Sequence, residues 1–187
     1  MDRSADEFIF YMSTPLNIAL IALVLVAAAY DLRFRRIPNW LNLSGMIIGF
    51  GLNIFFFGGH GLRAASLGFL CALLAYLPLY LIRGMGAGDV KLMAAVGAIA
   101  GPSNWLGIFL ATAIAGGIVS VVVIALKKRF HQTFWNLAVI GVQLLQFRAP
   151  SSAEERLDIR HSDALRLPHG AVIATGCVTF LLYTAYR

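Results

Sequence analysis

The sequence has little charge and almost no cysteine, and each shortage argues against a class of protein. Charged residues make up 13% of the 187 residues, whereas soluble domains average about 25%. Cys71 and Cys177 are isolated in apolar stretches, without the CxxC spacing of a zinc site or a disulfide framework. The four histidines are scattered as well. The sequence therefore predicts neither a metal nor another cofactor.

Apolar residues dominate the composition instead. Hydrophobic residues make up 59% of the chain and the mean hydropathy is +0.78, which indicates a membrane protein. The net charge of +6 does not point to nucleic acid, because the basic residues form no patch with interleaved aromatics. They flank apolar stretches, where lysine and arginine mark cytoplasmic loops. The predicted surroundings are a lipid bilayer, and nucleic acid is not expected as a partner.

Long apolar runs predict six transmembrane helices, and hence an all-α polytopic membrane protein with one domain over residues 1–187. A helix needs roughly 20 apolar residues to cross a bilayer. The fourth run is long enough for two spans, and the turn sequence that begins at Gly101-Pro102 divides it. The second run ends at His60 and is punctuated by Gly58-Gly59. The apolar runs are 8–30, 37–60, 64–82, 92–126 and 169–186.

The basic residues predict the orientation of these spans. If the first helix enters from outside, all of the 15 lysines and arginines except Arg3, Arg63 and Arg187 lie in cytoplasmic segments. This imbalance favours both termini outside the cytoplasm, with residues 127–168 as a cytoplasmic loop. Within that loop, 130–147 carries its polar residues on one narrow face, which favours a helix lying in the membrane interface. A seventh span also fits its length.

Two acidic residues border the predicted membrane helices, and an acid at such a position is a candidate functional group. At about 1.5 Å per residue, counting from the outer ends places Asp31 and Asp89 at a similar depth near the cytoplasmic side. A plainer alternative has Asp89 capping the fourth helix, with Asp31 paired to Arg33 or Arg35. Spacing alone leaves both alternatives open.

Three stretches stand out in this order: Asp31-Leu-Arg-Phe-Arg-Arg-Ile-Pro-Asn-Trp-Leu-Asn42, Gly84-Met-Gly-Ala-Gly-Asp-Val-Lys-Leu92 and Leu167-Pro-His-Gly-Ala-Val-Ile-Ala-Thr-Gly176. Together they resemble the type IV prepilin peptidase family, whose members are GxGD-type intramembrane aspartyl proteases. The last departs from the family pattern at Ala171, where proline is common. The resemblance covers nearly the whole chain.

The resemblance implies specific site residues. The family's two catalytic aspartates fall on Asp31 and Asp89, and the glycines of its GxGD motif fall on Gly86 and Gly88. We expect these glycines to keep the approach to Asp89 unwound, in a loop before a short fourth helix. Helix dipoles favour negative charge at Asp89 over Asp31, which predicts Asp31 as the more frequent carrier of a shared proton. Substrate or structural support is expected from Arg36, Pro38, Asn39 and Lys91, although positive-inside anchoring also explains the basic ones.

The implied reaction is cleavage of the basic leader from prepilins or pseudopilins at the cytoplasmic face of the bacterial inner membrane. Other pilus-assembly proteins are then candidate partners. Larger members of the family also carry paired CxxC motifs and N-methylate the product. Because this chain has no such motif, it resembles the short form associated with Flp-type pili, and methylation is not expected. Two other functions remain open, a transporter or proton channel with Asp31 and Asp89 as a relay, and a non-catalytic secretion scaffold.

Overall fold

The computed structural model describes residues 14–82, 84–126 and 168–186. These residues form the helices α1 (Thr14–Phe34), α2 (Asn39–Leu81), α3 (Ala87–Leu126) and α4 (His169–Ala185). The first three are long and apolar enough to cross a membrane, and α4 is a shorter apolar helix. The predicted all-α class is therefore confirmed. The predicted interfacial helix 130–147, the loop around it up to residue 167 and the terminal residues lie outside the described part of the chain.

Two of the helices are interrupted by a glycine at the places where the sequence predicts a break. Gly58 in α2 has φ 56° and ψ −132°, and Gly101 in α3 has φ 73° and ψ 172°. L-residues rarely adopt such positive φ values, because their Cβ collides with the neighbouring carbonyl. After Gly101, Pro102 supplies no backbone N–H, so the preceding helix cannot continue through it unchanged.

The first half of α2 runs alongside the first half of α3, which is the centre of the bundle. Asn42 donates from its side-chain amide to the carbonyl of Gly88, and farther along both helices Asn53 donates to the carbonyl of Ala98. Every residue in the range 92–100 is buried. This part of α3 is therefore surrounded by other helices. The position of the first turn of α3 depends on how those helices pack against it.

The second half of α2 returns along α3 in the opposite direction. Gly68 lies beside Gly101 and Gly97, whereas Ala72, one turn later, lies beside Gly97. A methyl group on Gly68 would overlap the carbonyl oxygen of Gly97, and a methyl group on Gly97 would overlap the carbonyl oxygen of Gly68. The two backbones are thus in direct contact, as small residues allow in membrane helices. Gly58 consequently acts as the turn of a helical hairpin.

The sequence Gly45-Met-Ile-Ile-Gly49 is a GxxxG motif, and its contacts lie within the chain. A Cβ on Gly45 would approach Leu23 Cδ2 to 2.7 Å, and one on Gly49 would approach Ile99 Cγ1 to 2.9 Å. These glycines therefore bring α2 close to both α1 and α3.

The second half of α3 runs back along α4. Gly107 lies against Phe180 and Gly116 against Val172, so the two helices are antiparallel. Because α4 also contacts α1, the end of α1 meets the beginnings of α2, α3 and α4 at one end of the bundle.

Candidate functional site

Two carboxyl groups meet at this end of the bundle. Asp31 lies in the last turns of α1 and its side chain is only 7% exposed. Asp89 lies in the first turn of α3 and is partly buried. The charges of Asp31 and Asp89 interact. The fold therefore brings together the two acids that the sequence places at one depth.

A backbone group of α4 contacts the first acid. The N–H of Gly170 donates a hydrogen bond of 2.7 Å to Asp31 Oδ2. Gly170 is the second residue of α4, where backbone N–H groups have no partner within the helix. The positive end of the α4 dipole thus faces the Asp31 carboxylate. A Cβ on Gly170 would lie 3.0 Å from both Cβ and Oδ2 of Asp31, so this approach requires a residue without a side chain.

The chain enters α3 through a short glycine-rich connection. The carbonyl of Gly86 accepts hydrogen bonds from Asp89 N (3.2 Å) and Val90 N (3.4 Å), which closes the first turn of the helix. A Cβ on Gly86 would lie 3.3 Å from Asp89 Oδ2. Gly88 already belongs to α3, which begins at Ala87. Gly86 precedes the helix, but the expectation that Gly88 is also unwound is wrong, because the hydrogen bonds to the Gly86 carbonyl start the helix at Ala87.

Gly88 is held against the connection between α1 and α2. A Cβ on Gly88 would lie 3.4 Å from Ile37 Cβ, and the carbonyl oxygen of Gly88 accepts the 3.2 Å hydrogen bond from Asn42 Nδ2. Asn42 is 1% exposed and Ile37 is 8% exposed. The segment that follows Asp31 therefore packs directly on the turn that carries Asp89.

Three of the four predicted supporting residues come together beside this contact. Pro38 precedes α2, and its carbonyl accepts hydrogen bonds from the backbone N–H groups of Leu41 and Asn42. Lys91 Nζ donates to Asn39 Oδ1 at 3.0 Å. Asn39 and Lys91 are exposed, so this contact forms the outer rim of the site.

The fourth supporting residue, Arg36, lines an open groove on the same side. The groove has a volume of about 400 Å³ and is mostly apolar, with walls made by Tyr30, Phe34, Arg36, Ile37, Pro38 and Asn39. Arg36 is exposed, as expected for a cation at the membrane surface. The groove shares Ile37 and Asn39 with the contacts that hold the first turn of α3.

Two further polar side chains lie within electrostatic range of the acids. Tyr76 on the returning half of α2 is 3% exposed and interacts with Asp89, and its ring packs edge-on against Phe109. His169, the first residue of α4, interacts with Asp31. Among the described residues no three His, Cys, Asp or Glu side chains are grouped as a metal site would require.

Sequence reasoning assigned no role to Gly170 or Asn42. Both lie inside the stretches that carry the family resemblance, but their contacts depend on which helix faces meet. The signal that the sequence offered for Asn42 was an asparagine near the start of a mostly apolar helix.

Comparison with protein families adds independent evidence. The model of the family described as the type IV leader peptidase family matches residues 18–121, a range that includes both aspartates and the connection between α2 and α3. Comparisons with curated proteins and with solved structures gave no match.

Proposed function

Because this chain belongs to the type IV leader peptidase family, we propose that it is a membrane aspartyl endopeptidase with Asp31 and Asp89 as its catalytic pair. Its proposed reaction is removal of the basic leader from Flp-like prepilins at the cytoplasmic face, without N-methylation. The observation that carries the proposal is the meeting of the two acids. Asp31 from α1 and Asp89 from α3 lie at one end of the bundle, close enough for their charges to interact.

The arrangement of helices supports six membrane crossings. The reversals at Gly58 and Gly101 turn α2 and α3 into hairpins, and α1 and α4 add one crossing each. The half-helix 87–100 rises only about 21 Å, less than the roughly 30 Å of a hydrocarbon core. Asp89 would then lie below the membrane surface. The irregular backbone at Gly84–Gly86 is acceptable at that depth because it borders a polar site.

The charges on the two ends of the bundle support a cytoplasmic site. The end that holds the aspartates carries the exposed basic residues Arg33, Arg35, Arg36 and Lys91, whereas Arg63 lies near the opposite end. Basic residues accumulate on the cytoplasmic side of membrane proteins. The leader of a prepilin would therefore reach the acids without crossing the membrane, and the apolar part of the substrate would stay in the bilayer.

A pair of close carboxyl groups shares one proton, because both cannot be ionised at once. In the proposed reaction Asp31 is the ionised partner and Asp89 holds the proton. This reverses the assignment expected from the helix dipoles of α1 and α3 alone. The reason is the hydrogen bond from Gly170 N to Asp31 Oδ2, which favours a negative oxygen there and adds the dipole of α4.

The two carboxyl groups then suffice for hydrolysis. Asp31 accepts a proton from water as the water oxygen attacks the scissile carbonyl carbon, and Asp89 donates its proton to the carbonyl oxygen. When the tetrahedral intermediate breaks down, the C–N bond is cleaved and the amide nitrogen leaves with the proton held by Asp31. The new carboxyl group returns a proton to Asp89, so both groups regain their starting state.

Cleavage of a prepilin by the purified protein tests this proposal. Wild type, Asp31→Asn and Asp89→Asn are compared in detergent on a prepilin with an intact leader. The substitutions preserve size but remove ionisation, so each is expected to lower the rate at least about 100-fold. Asp158→Asn, in the predicted cytoplasmic loop 127–168, is the matched control and should cleave like wild type. Processing by both active-site variants would refute the aspartyl mechanism. A wild type that processes no prepilin would favour the channel or the scaffold instead.

A further inference from the structure

Asn42 fixes one side of the peptide group that leads into Asp89. Its Nδ2 donates to the carbonyl oxygen of Gly88 at 3.2 Å. The other side of the same peptide group is Asp89 N–H, which donates to the carbonyl of Gly86 at 3.2 Å. Because a peptide group is planar, holding its C=O and its N–H fixes the position of the Asp89 Cα as well. The backbone of Asp89 is therefore held from α2 and from its own turn.

Fold stability does not account for an asparagine at this position. Asn42 is 1% exposed, and within the described residues its Oδ1 has no hydrogen-bond partner. A buried acceptor without a partner costs more free energy than one neutral hydrogen bond typically contributes. An apolar side chain of similar size would therefore serve the packing at least as well. What an apolar side chain cannot do is hold the Gly88 carbonyl.

A second buried asparagine on the same helix provides the contrast. Asn53 is 5% exposed, and its Nδ2 donates to the carbonyls of Ala98 and Ile99, at 3.0 and 3.2 Å. These contacts also join α2 to α3. They lie near the opposite end of the half-helix 87–100, far from Asp89, so Asn53 can only stabilise the bundle. The two asparagines thus share one chemistry and one helix pair, and they differ in their distance from the site.

We propose that Asn42 is a positioning residue of the peptidase, which aligns Asp89 with Asp31 by holding the carbonyl of Gly88. This inference rests on the proposed function. Asn42 also lies one turn after the groove residue Asn39, whose Oδ1 accepts the hydrogen bond from Lys91 on α3. The beginning of α2 therefore makes two hydrogen bonds to the start of α3. The one from Asn42 has a buried donor, and the one between Asn39 and Lys91 is exposed.

The kinetic test compares Asn42→Leu with Asn53→Leu, which remove the same amide from the same helix. Both are assayed for prepilin cleavage per folded molecule, with thermal unfolding as the measure of folding. Asn42→Leu is expected to lower kcat about 10- to 100-fold, because a small displacement of a catalytic group is costly, with KM changed less than about twofold. Asn42→Gln keeps the donor and should recover part of kcat. Asn53→Leu should lower the unfolding temperature more and leave kcat within about threefold. Equal kcat for Asn42→Leu and wild type, or an equal loss in Asn53→Leu, would overturn the proposal.

A second measurement needs no activity. Hydrogen–deuterium exchange of the backbone amides in 86–92 is followed without substrate in wild type, Asn42→Leu and Asn53→Leu. Asn42→Leu should speed exchange there about 10-fold, because the carbonyl of Gly88 loses its hydrogen bond from residue 42. Asn53→Leu should leave exchange in this segment unchanged. Unchanged exchange in Asn42→Leu would overturn the positioning role even if the wild type cleaves no prepilin. That last result would refute the proposed function separately.

Discussion

Gly170 and Asp31 are 139 positions apart in the chain, and a 2.7 Å hydrogen bond joins the backbone N–H of the first to Oδ2 of the second. The contact ties the last helix of the protein to an acid on its first helix. It leaves no room for a side chain on residue 170, since a Cβ there would lie 3.0 Å from Asp31 Oδ2.

The first prediction is that Gly170→Ala lowers peptidase activity at least about 10-fold. The added methyl group has to push the Asp31 carboxyl away from its place beside Asp89, and misplaced catalytic groups react slowly. Prepilin cleavage per folded molecule measures the effect. The control is Gly117→Ala, because a Cβ at that helical position meets nothing within 4 Å. Gly117→Ala should keep full activity and gain slightly in stability. Full activity in Gly170→Ala would show that the contact is dispensable.

The second prediction concerns the backbone contact between α2 and α3. Gly97→Ala places a methyl group against the carbonyl oxygen of Gly68, and neither backbone can yield without moving its helix. We expect the free energy of unfolding to fall by at least about 2 kcal/mol. Denaturant titration in detergent micelles measures it. Gly51→Ala, where a Cβ meets nothing within 4 Å, is the control and should not destabilise the protein. Equal stability of the two variants would mean that the helices are not in backbone contact.

The third prediction follows from a strained residue at the end of α1. Arg35 has a φ of 51°, which is in the left-handed region. Its side chain is exposed, and its N–H donates the last hydrogen bond of the helix, 2.8 Å long, to the carbonyl of Asp31. Glycine adopts this conformation without the steric cost, which is about 1 kcal/mol for other residues. Arg35→Gly should therefore raise the unfolding temperature and leave cleavage unchanged. Arg33→Gly, inside the helix, should lower the unfolding temperature, because glycine destabilises a helix interior. The reverse order would exclude strain at Arg35.

The fourth prediction separates support of the structure from support of the substrate at Lys91. Its amine donates to Asn39 Oδ1 at the exposed rim, where such contacts contribute little. We expect Lys91→Met to change both kcat and KM less than about threefold. Asn39→Ala, which removes the other partner, should have the same small effect, and the double variant should be no worse than either. A rise in KM of about tenfold in Lys91→Met alone would instead assign its amine to substrate binding.

The helix interruptions and the positions of the two aspartates along their helices could be predicted from the sequence, because each depends on local chemistry. Gly58 and Gly101 interrupt helices where glycine clusters or a following proline interrupt the apolar runs. The position of Asp31 and Asp89 at one end of the bundle could be predicted from the constant rise of an α-helix. The helical state of Gly88 did not follow, because it depends on the hydrogen bonds that Gly86 accepts from Asp89 and Val90.

The contacts between helices could not be predicted from the sequence, for a reason particular to membrane proteins. In water, the polar face of a helix shows which side is exposed, but here both lipid-facing and buried faces are apolar. Leu25 on α1 is 53% exposed while its neighbour Val24 is 0% exposed, although the two side chains are chemically alike. The same ambiguity hid the partners of Asn42 and Gly170, whose roles depend on which faces meet.

The hairpin turns at Gly58 and Gly101 limit how the length of this protein can change. Both turns lie at the end of the bundle opposite the aspartates, so each hairpin has to travel out and back over the same distance. One added helical turn in the outgoing half of α2 would shift the returning half by about 5.4 Å and carry Tyr76 away from Asp89. An added turn in the returning half, before Tyr76, would bring Tyr76 back to its position beside Asp89. Insertions and deletions among relatives are therefore expected in pairs, one on each side of a turn glycine.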